Sequence, residues 1–123
     1  MKIFNRDGKV NFIDKNNVLV GFDYVSCCCE NFGYFLTPTK PTSLDPIDVL
    51  QESDEAFSGF VFDTKYCDDI AFGGEWNDSS ASVFRLTRGD ETIFLTLHNT
   101  HNGYYGHGFD MTLDGARLHS GCL

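Results

Sequence analysis

The fold is decided by residues 82–98, which read SVFRLTRGDETIFLTLH. Two runs rich in apolar and β-branched residues, Ser82 to Arg88 and Thr92 to His98, flank Gly89-Asp90-Glu91. Such runs on either side of a short segment containing glycine are typical of two antiparallel strands joined by a tight turn. The sequence therefore predicts a β-hairpin over this stretch.

A second hairpin is predicted closer to the C-terminus. The runs Phe109 to Leu113 and Ala116 to Ser120 flank Asp114-Gly115, a dipeptide that type I′ turns prefer. Between the two hairpins lies Asn102-Gly103, another dipeptide typical of two-residue turns. If this turn joins the hairpins, all four runs pair in one antiparallel sheet.

Toward the N-terminus the pattern is also one of short strands. Val10 to Asp14 and Val18 to Val25 are apolar runs separated by a polar turn, and Gly59 to Asp63 predicts a further strand. The exception is Asp45 to Glu52, where an N-cap residue precedes a proline at the first helical position, which predicts a short helix. We therefore predict a mostly β domain, α+β at the margin, built as a single antiparallel curled sheet or a small sandwich with one short helix.

The composition is that of one globular domain over residues 1–123. Hydrophobic residues make up 41% of the chain and 12 residues are Phe, which excludes a disordered or collagen-like polypeptide. At this length, roughly two-thirds of the surface of the extended chain can be buried on folding. We therefore expect a core that needs neither disulfides nor a metal for its stability.

The charge is negative and unevenly distributed along the chain. Lys and Arg number 9 against 18 Asp and Glu, a formal net charge of -9, so the basic surface that binds nucleic-acid phosphate is missing. Ten of the acids lie between Asp45 and Asp78, against Lys65 alone. This excess predicts either a solvated face that aids solubility or a surface for a basic partner protein. The candidate interaction residues within it are Asp54, Glu55, Asp68 and Asp69.

The N-terminus and the cysteines favour a reducing cytoplasm. Polar residues interrupt the first positions before an apolar signal region develops, and no later window approaches the ~18 apolar residues of a membrane span. The five cysteines are an odd number, and Cys27, Cys28 and Cys29 are adjacent. Secreted disulfide-bonded domains usually have an even number at spread spacings. We expect free thiols, no secretion and no membrane partner.

Three of the four histidines, His98, His101 and His107, lie close together in the sequence. With Asn102-Gly103 as a two-residue turn, the strand register places His98 opposite His107. The histidines of such a turn can simply bond to local groups. Imidazoles about 5 Å apart across two strands can instead share Zn²⁺ with a thiolate. The candidate zinc ligands are His98, His101, His107, Cys28 and Cys29.

A catalytic alternative uses part of the same set. Cys28 is a candidate nucleophile, with His98 or His107 as the neighbour that lowers its thiol pKa, as in thiol hydrolases and transferases. The cysteines follow an apolar strand directly, which favours small buried side chains at a strand end. The chain contains neither a Cys-x-x-Cys pair nor a His-Glu-x-x-His helix. The zinc site and the enzyme therefore stay alternatives to a protein that has no cofactor.

Two short motifs resemble a small uncharacterised β-rich domain family of bacteriophages and bacteria. One is Cys28-Cys29-Glu30 followed by Phe32, and the other is Asn102-Gly103-Tyr104-Tyr105-Gly106. The resemblance implies an accessory protein of a phage or mobile element that acts inside a bacterial host cell. It adds to the candidate interaction residues Glu30, Asn102, Gly103, Tyr104 and Tyr105.

Charge, cysteine usage and the resemblance lead to the same expectation about function. We expect a small acidic accessory protein, without enzymatic activity, that works in the bacterial cytoplasm by binding another protein of basic character. Nucleic acid and membranes are not expected partners. The first alternative is a zinc-binding module formed by the histidine-rich hairpin and the cysteines, and the second is a Cys/His hydrolase or transferase.

Overall fold

The protein consists of two antiparallel β-sheets that share one core. The computed structural model describes residues 1–24, 31–73, 78–101 and 107–123. Within these ranges there are ten strands, five in each sheet, and no helix. The prediction of a mostly antiparallel β domain is confirmed. The single curled sheet is excluded, because the strands divide between two sheets.

The first sheet combines strands from the N-terminal and C-terminal parts of the chain. Their bounds are Lys2–Arg6 (β1), Lys9–Ile13 (β2), Val18–Asp23 (β3), Gly108–Leu113 (β9) and Ala116–Cys122 (β10). The strand order is β1-β2-β3-β9-β10. Asp114 and Gly115, between β9 and β10, have φ values of 50° and 84°, the left-handed conformation that a type I′ turn requires. The predicted C-terminal hairpin is confirmed.

The second sheet contains the middle of the chain. Its strands are Asn31–Thr37 (β4), Val61–Phe62 (β5), Asp68–Gly73 (β6), Asp78–Arg88 (β7) and Glu91–His101 (β8). The order is β4-β8-β7, and β5 and β6 pair with different parts of the other edge of β7. The predicted hairpin over residues 82–98 is confirmed as the pairing of β7 with β8.

Aromatic side chains join the two sheets. Phe84 of β7 packs edge-on against Phe109 of β9, with 5.8 Å between ring centroids. Phe12 of β2 and Tyr34 of β4 make a similar contact at 4.9 Å. Such edge-to-face pairs add to the free energy that apolar burial already supplies. The inner faces of both sheets therefore form one continuous core.

The predicted continuation from the first hairpin into the second is wrong. β8 pairs with β4 on one side and β7 on the other, so it has no free edge for β9. β9 lies in the other sheet, between β3 and β10. The physical reason is burial: Phe109 and Met111 are covered only when β9 faces β7 and β8 across the core. The expected pairing of His98 with His107 therefore does not occur.

The short helix predicted over Asp45 to Glu52 is also wrong. The backbone of this stretch is irregular, and the N–H of Leu50 donates to the carbonyl of Leu36 in β4 at 2.8 Å. A helix of this length would have a costly nucleus and few internal hydrogen bonds. The hydrogen bond to β4 and the packing of Leu50 against the core stabilise the irregular conformation more than a single isolated helical turn would be stabilised.

Candidate protein-interaction surface

The residues from Asp45 to Glu55, here called the acidic segment, follow the loop after β4. The segment contains five carboxylates and no lysine or arginine. All five acids are exposed, and they are Asp45, Asp48, Glu52, Asp54 and Glu55. Close spacing of uncompensated charge at a surface creates a local negative potential. Half of the ten acids between Asp45 and Asp78 are therefore concentrated on one exposed stretch.

Two aliphatic side chains of the same segment project into solvent. Ile47 has a relative exposure of 104% and Val49 of 51%, the two highest values among the large apolar residues that are exposed. Leu50, which follows them, is half-buried and packs against the core. The segment is thus held at Leu50 while Ile47 and Val49 face outward among carboxylates.

The end of the segment is fixed by a compact turn. Phe57 and Phe60 are buried, and the N–H of Phe57 donates to the carbonyl of Ser53 at 3.1 Å. Arg88 of β7 donates to the carbonyls of Ala56 at 3.1 Å and Ser58 at 2.7 Å. Because the segment is attached to the folded core at Leu50 and at this turn, the acids between these points are presented on an ordered surface.

Glu52, an acid of this segment, forms a side-chain hydrogen bond with Tyr34. Burial of Tyr34 raises the pKa of its phenol, and the hydrogen bond to Glu52 raises it further. Both effects favour the neutral phenol, which keeps its proton and donates a hydrogen bond to the carboxylate. Tyr34 also packs against Phe12, so this bond connects the surface acid with the core.

The candidate residues Asp68 and Asp69 lie outside the segment and have partners within the protein. Asp68, the first residue of β6, forms an ion pair with Lys40. Asp69 accepts the hydroxyl of Ser82 at 2.6 Å across the β6–β7 pair. Both side chains therefore help to attach β6 to the rest of the protein. Asp54 and Glu55 are exposed and have no ion pair among the described residues, and Asp54 lines a cavity together with Lys2 and Lys15.

The candidate ligands His98 and His107 are held in different environments. His107 stacks on Phe32 at 3.9 Å between ring centroids and bonds through Nδ1 to the carbonyl of Asp23 at 2.9 Å. His98 is half-buried on the outer face of β8, since its neighbours Leu97 and Asn99 both face inward. Burial lowers the pKa of His98. The structure therefore does not bring these two imidazoles together as a cross-strand pair.

Most other candidate residues lie outside the part of the chain that the structure describes. The backbone of His101 ends β8, and the remaining candidates lie outside the described residues: Cys28, Cys29, Glu30, Asn102, Gly103, Tyr104 and Tyr105. Within the described ranges, no group of three His, Cys, Asp or Glu side chains is arranged to hold a metal ion. Burial, and then the nearby Asp69 and Asp68, raise the pKa of the Cys67 thiol to about 11, which disfavours its reactive thiolate.

Ile47 and Val49 are the site residues that the sequence reasoning missed. The helix prediction treated them as part of a regular element, although a signal for an extended stretch was present. Ile47 and Val49 are β-branched, alternate with Asp48, and follow Pro46. Alternation of apolar and polar residues is a pattern of extended chain, and β-branched residues favour it.

Comparisons with known proteins give no relative from which a function could be transferred. No protein-family model, no curated protein and no solved structure matches this chain. In the part of the chain that the structure describes, no helix has the length and apolar character to cross a bilayer. The functional assignment therefore rests on the geometry and charge of the surface.

Proposed function

We propose that the protein is a small acidic accessory protein of phage or mobile-element type, which acts in the bacterial cytoplasm by binding a basic partner protein through the acidic segment. The single observation that carries this proposal is the exposure of five carboxylates on a stretch that contains no lysine or arginine and is attached to the core at Leu50 and at the turn that follows Glu55. The location in a bacterial cell is supported by the two motifs of the resemblance and by the odd number of cysteines.

Charge and apolar contact have different roles in the proposed interface. Carboxylates at a surface accelerate the encounter with a positively charged partner and select against acidic ones. Affinity depends more on a few well-packed apolar contacts near the centre of an interface. The acidic segment supplies both, because Ile47 and Val49 are exposed among its acids.

The test compares two doubly neutralised variants. Asp54→Asn with Glu55→Gln removes two charges from the acidic segment without changing side-chain shape much. Asp7→Asn with Asp114→Asn removes the same number of charges from two exposed turns elsewhere, and Asn tolerates the positive φ values of 54° at Asp7 and 50° at Asp114. The two variants therefore differ in the location of the lost charge and not in its amount.

Tagged wild type and both variants would be used to capture proteins from bacterial lysate at several salt concentrations, with quantification of each captured protein. We expect a basic protein whose capture by wild type falls with added salt and whose capture by the Asp54/Glu55 variant is several-fold lower. The Asp7/Asp114 variant should behave as wild type. Equal capture by all three proteins would refute the role of the acidic segment. Stoichiometric zinc in the purified protein would instead favour a metal-binding module.

A further inference from the structure

An apolar groove lies directly beside the acidic segment. Its volume is about 410 Å³, within the ~300–1,000 Å³ range of protein ligand pockets. The buried side chains of Phe57, Phe60 and Ile93 form its floor, and Leu50 of the acidic segment forms one wall. The groove therefore exposes part of the core beside Leu50, the residue that attaches the acidic segment.

The rim of the groove consists of exposed residues with small or polar side chains. Besides Pro38, they include Gln51, Ala56 and Thr92. Leu50 and Gln51 belong to the acidic segment, and Ala56 follows its last residue, Glu55, directly. The acidic segment therefore runs along one side of the opening.

Arg88, which lines the groove, already has an acidic partner within the protein. Arg88 lies over the ring of Phe60, 4.3 Å from its centroid, and bonds to Glu91 at 2.7 Å. Its other donors bond to the turn that follows the acidic segment. Since Arg88 and Glu91 compensate each other, the charge that remains beside the groove is that of the adjoining acidic segment, which favours a cationic occupant.

We propose that this groove receives one apolar side chain of an extended, lysine- and arginine-rich segment of the partner protein. The proposal rests on the proposed function and adds to it the kind of partner segment that binds. A floor of Phe57, Phe60 and Ile93 complements an aromatic or large aliphatic side chain, and interface affinity is commonly concentrated in such anchors. The exposed carboxylates of the acidic segment complement the flanking lysines and arginines.

The probes for the test are two short fluorescent peptides with the same alternating Lys/Arg and Gly/Ser sequence. One carries Trp at its centre and the other carries Ser. Binding to the full-length protein is measured by fluorescence anisotropy at low and moderate salt. We expect the Trp peptide to bind about tenfold more tightly than the Ser peptide, since a well-packed anchor contributes on the order of 1–2 kcal/mol, and we expect added salt to weaken both.

Groove-filling variants locate the binding site of the central side chain. Ala56→Trp and Thr92→Trp each place a large side chain at the rim, and both should reduce the preference for the Trp peptide to about twofold or less. Ala116→Trp, at an exposed position of β10 away from the groove, is the matched control and should preserve it. Circular dichroism and urea unfolding identify any variant that fails to fold, and two independent rim positions keep the comparison informative.

The possible results separate this inference from the proposed function. If wild type binds both peptides equally and in a salt-dependent way, the groove is not an anchor site, although the acidic segment still binds cations. If both rim variants keep the preference for the Trp peptide, the central side chain binds elsewhere and the inference is wrong. If neither peptide binds at low salt, the proposed function fails together with the inference.

Discussion

The carboxylate of Asp14 accepts the backbone N–H of Phe62 at 2.8 Å, and this bond joins the end of β2 in the first sheet to β5 in the second. The other oxygen of the same carboxylate accepts the N–H groups of Asn16 at 2.9 Å and Val18 at 3.0 Å. Asp14 is buried, and so are its bonds to Phe62 and Val18. One side chain thus organises the β2–β3 turn and attaches it to the opposite sheet.

Replacement of Asp14 by Ala should lower the free energy of unfolding by about 2–4 kcal/mol. The variant leaves the N–H groups of Val18 and Phe62 buried without their acceptor, and such groups cost about 1–3 kcal/mol each. The measurement is urea unfolding followed by circular dichroism. Asp54→Ala is the control, because the removal of an exposed acid that forms no ion pair among the described residues should change stability by less than about 0.5 kcal/mol. Equal effects of the two substitutions would contradict the role of Asp14.

Two glycines on the β9–β10 pair should respond differently to the addition of a methyl group. A Cβ at Gly121 would lie 2.8 Å from the ring of Phe109, whereas a Cβ at Gly108 would meet only a backbone oxygen at 3.9 Å. Gly121→Ala should therefore destabilise the protein by about 1–3 kcal/mol through overpacking. Gly108→Ala should be neutral or slightly stabilising, since it restricts the unfolded chain. Thermal unfolding of both variants checks this, and a tolerant Gly121 would mean that Phe109 packs differently.

The stability of the protein should decrease as the pH falls below about 6.5, and His98 should account for part of the decrease. Burial lowers the pKa of His98 in the folded state from its ordinary value of 6.5. Below that pH the unfolded chain takes up a proton that the folded protein resists, so protonation favours unfolding. Urea midpoints measured between pH 7.5 and 5 for wild type and His98→Gln provide the test. A variant with the same pH dependence as wild type would exclude His98 as a contributor.

All five cysteines should be free thiols in the protein from a reducing cytoplasm. In the described ranges, Cys67 and Cys122 are free. Thiol titration of unreduced protein, denatured immediately after purification, should therefore give five thiols per chain. Before denaturation, exposed Cys122 should react faster than Cys67, because the raised pKa of Cys67 reduces its thiolate fraction. A stable native disulfide would contradict the proposed compartment.

The sequence predicted those features of the fold that depend on neighbouring residues. The turns at Gly89-Asp90 and Asp114-Gly115 join strands that are adjacent in the chain, and their residue types report the backbone conformation directly. The relationship of β8 to β9 depends instead on the choice between two sheets, and that choice is made by the distant core partners of Phe109. No local pattern around Asn102-Gly103 contains this information.

The candidate surface shows the same division between local and distant information. The sequence located the excess of acids, but it could not distinguish Asp54, which is exposed, from Asp68, which is paired with Lys40. The groove beside the acidic segment was not predictable either. Its floor combines Phe57 and Phe60 with Ile93 of β8, residues that are brought together only by the tertiary fold.

The placement of β9 has a consequence for the order in which the sheets can form during synthesis. The described strands of the second sheet all lie between Asn31 and His101, whereas the first sheet requires Val20 of β3 to pair with Met111 of β9. Pairings between such distant parts of a chain form slowly, and β3 has to wait for residues that are translated after those of the second sheet. On the ribosome, the second sheet is therefore able to assemble while β1, β2 and β3 still expose the side chains that β9 will cover. During this interval the chain presents the largest apolar surface to a chaperone.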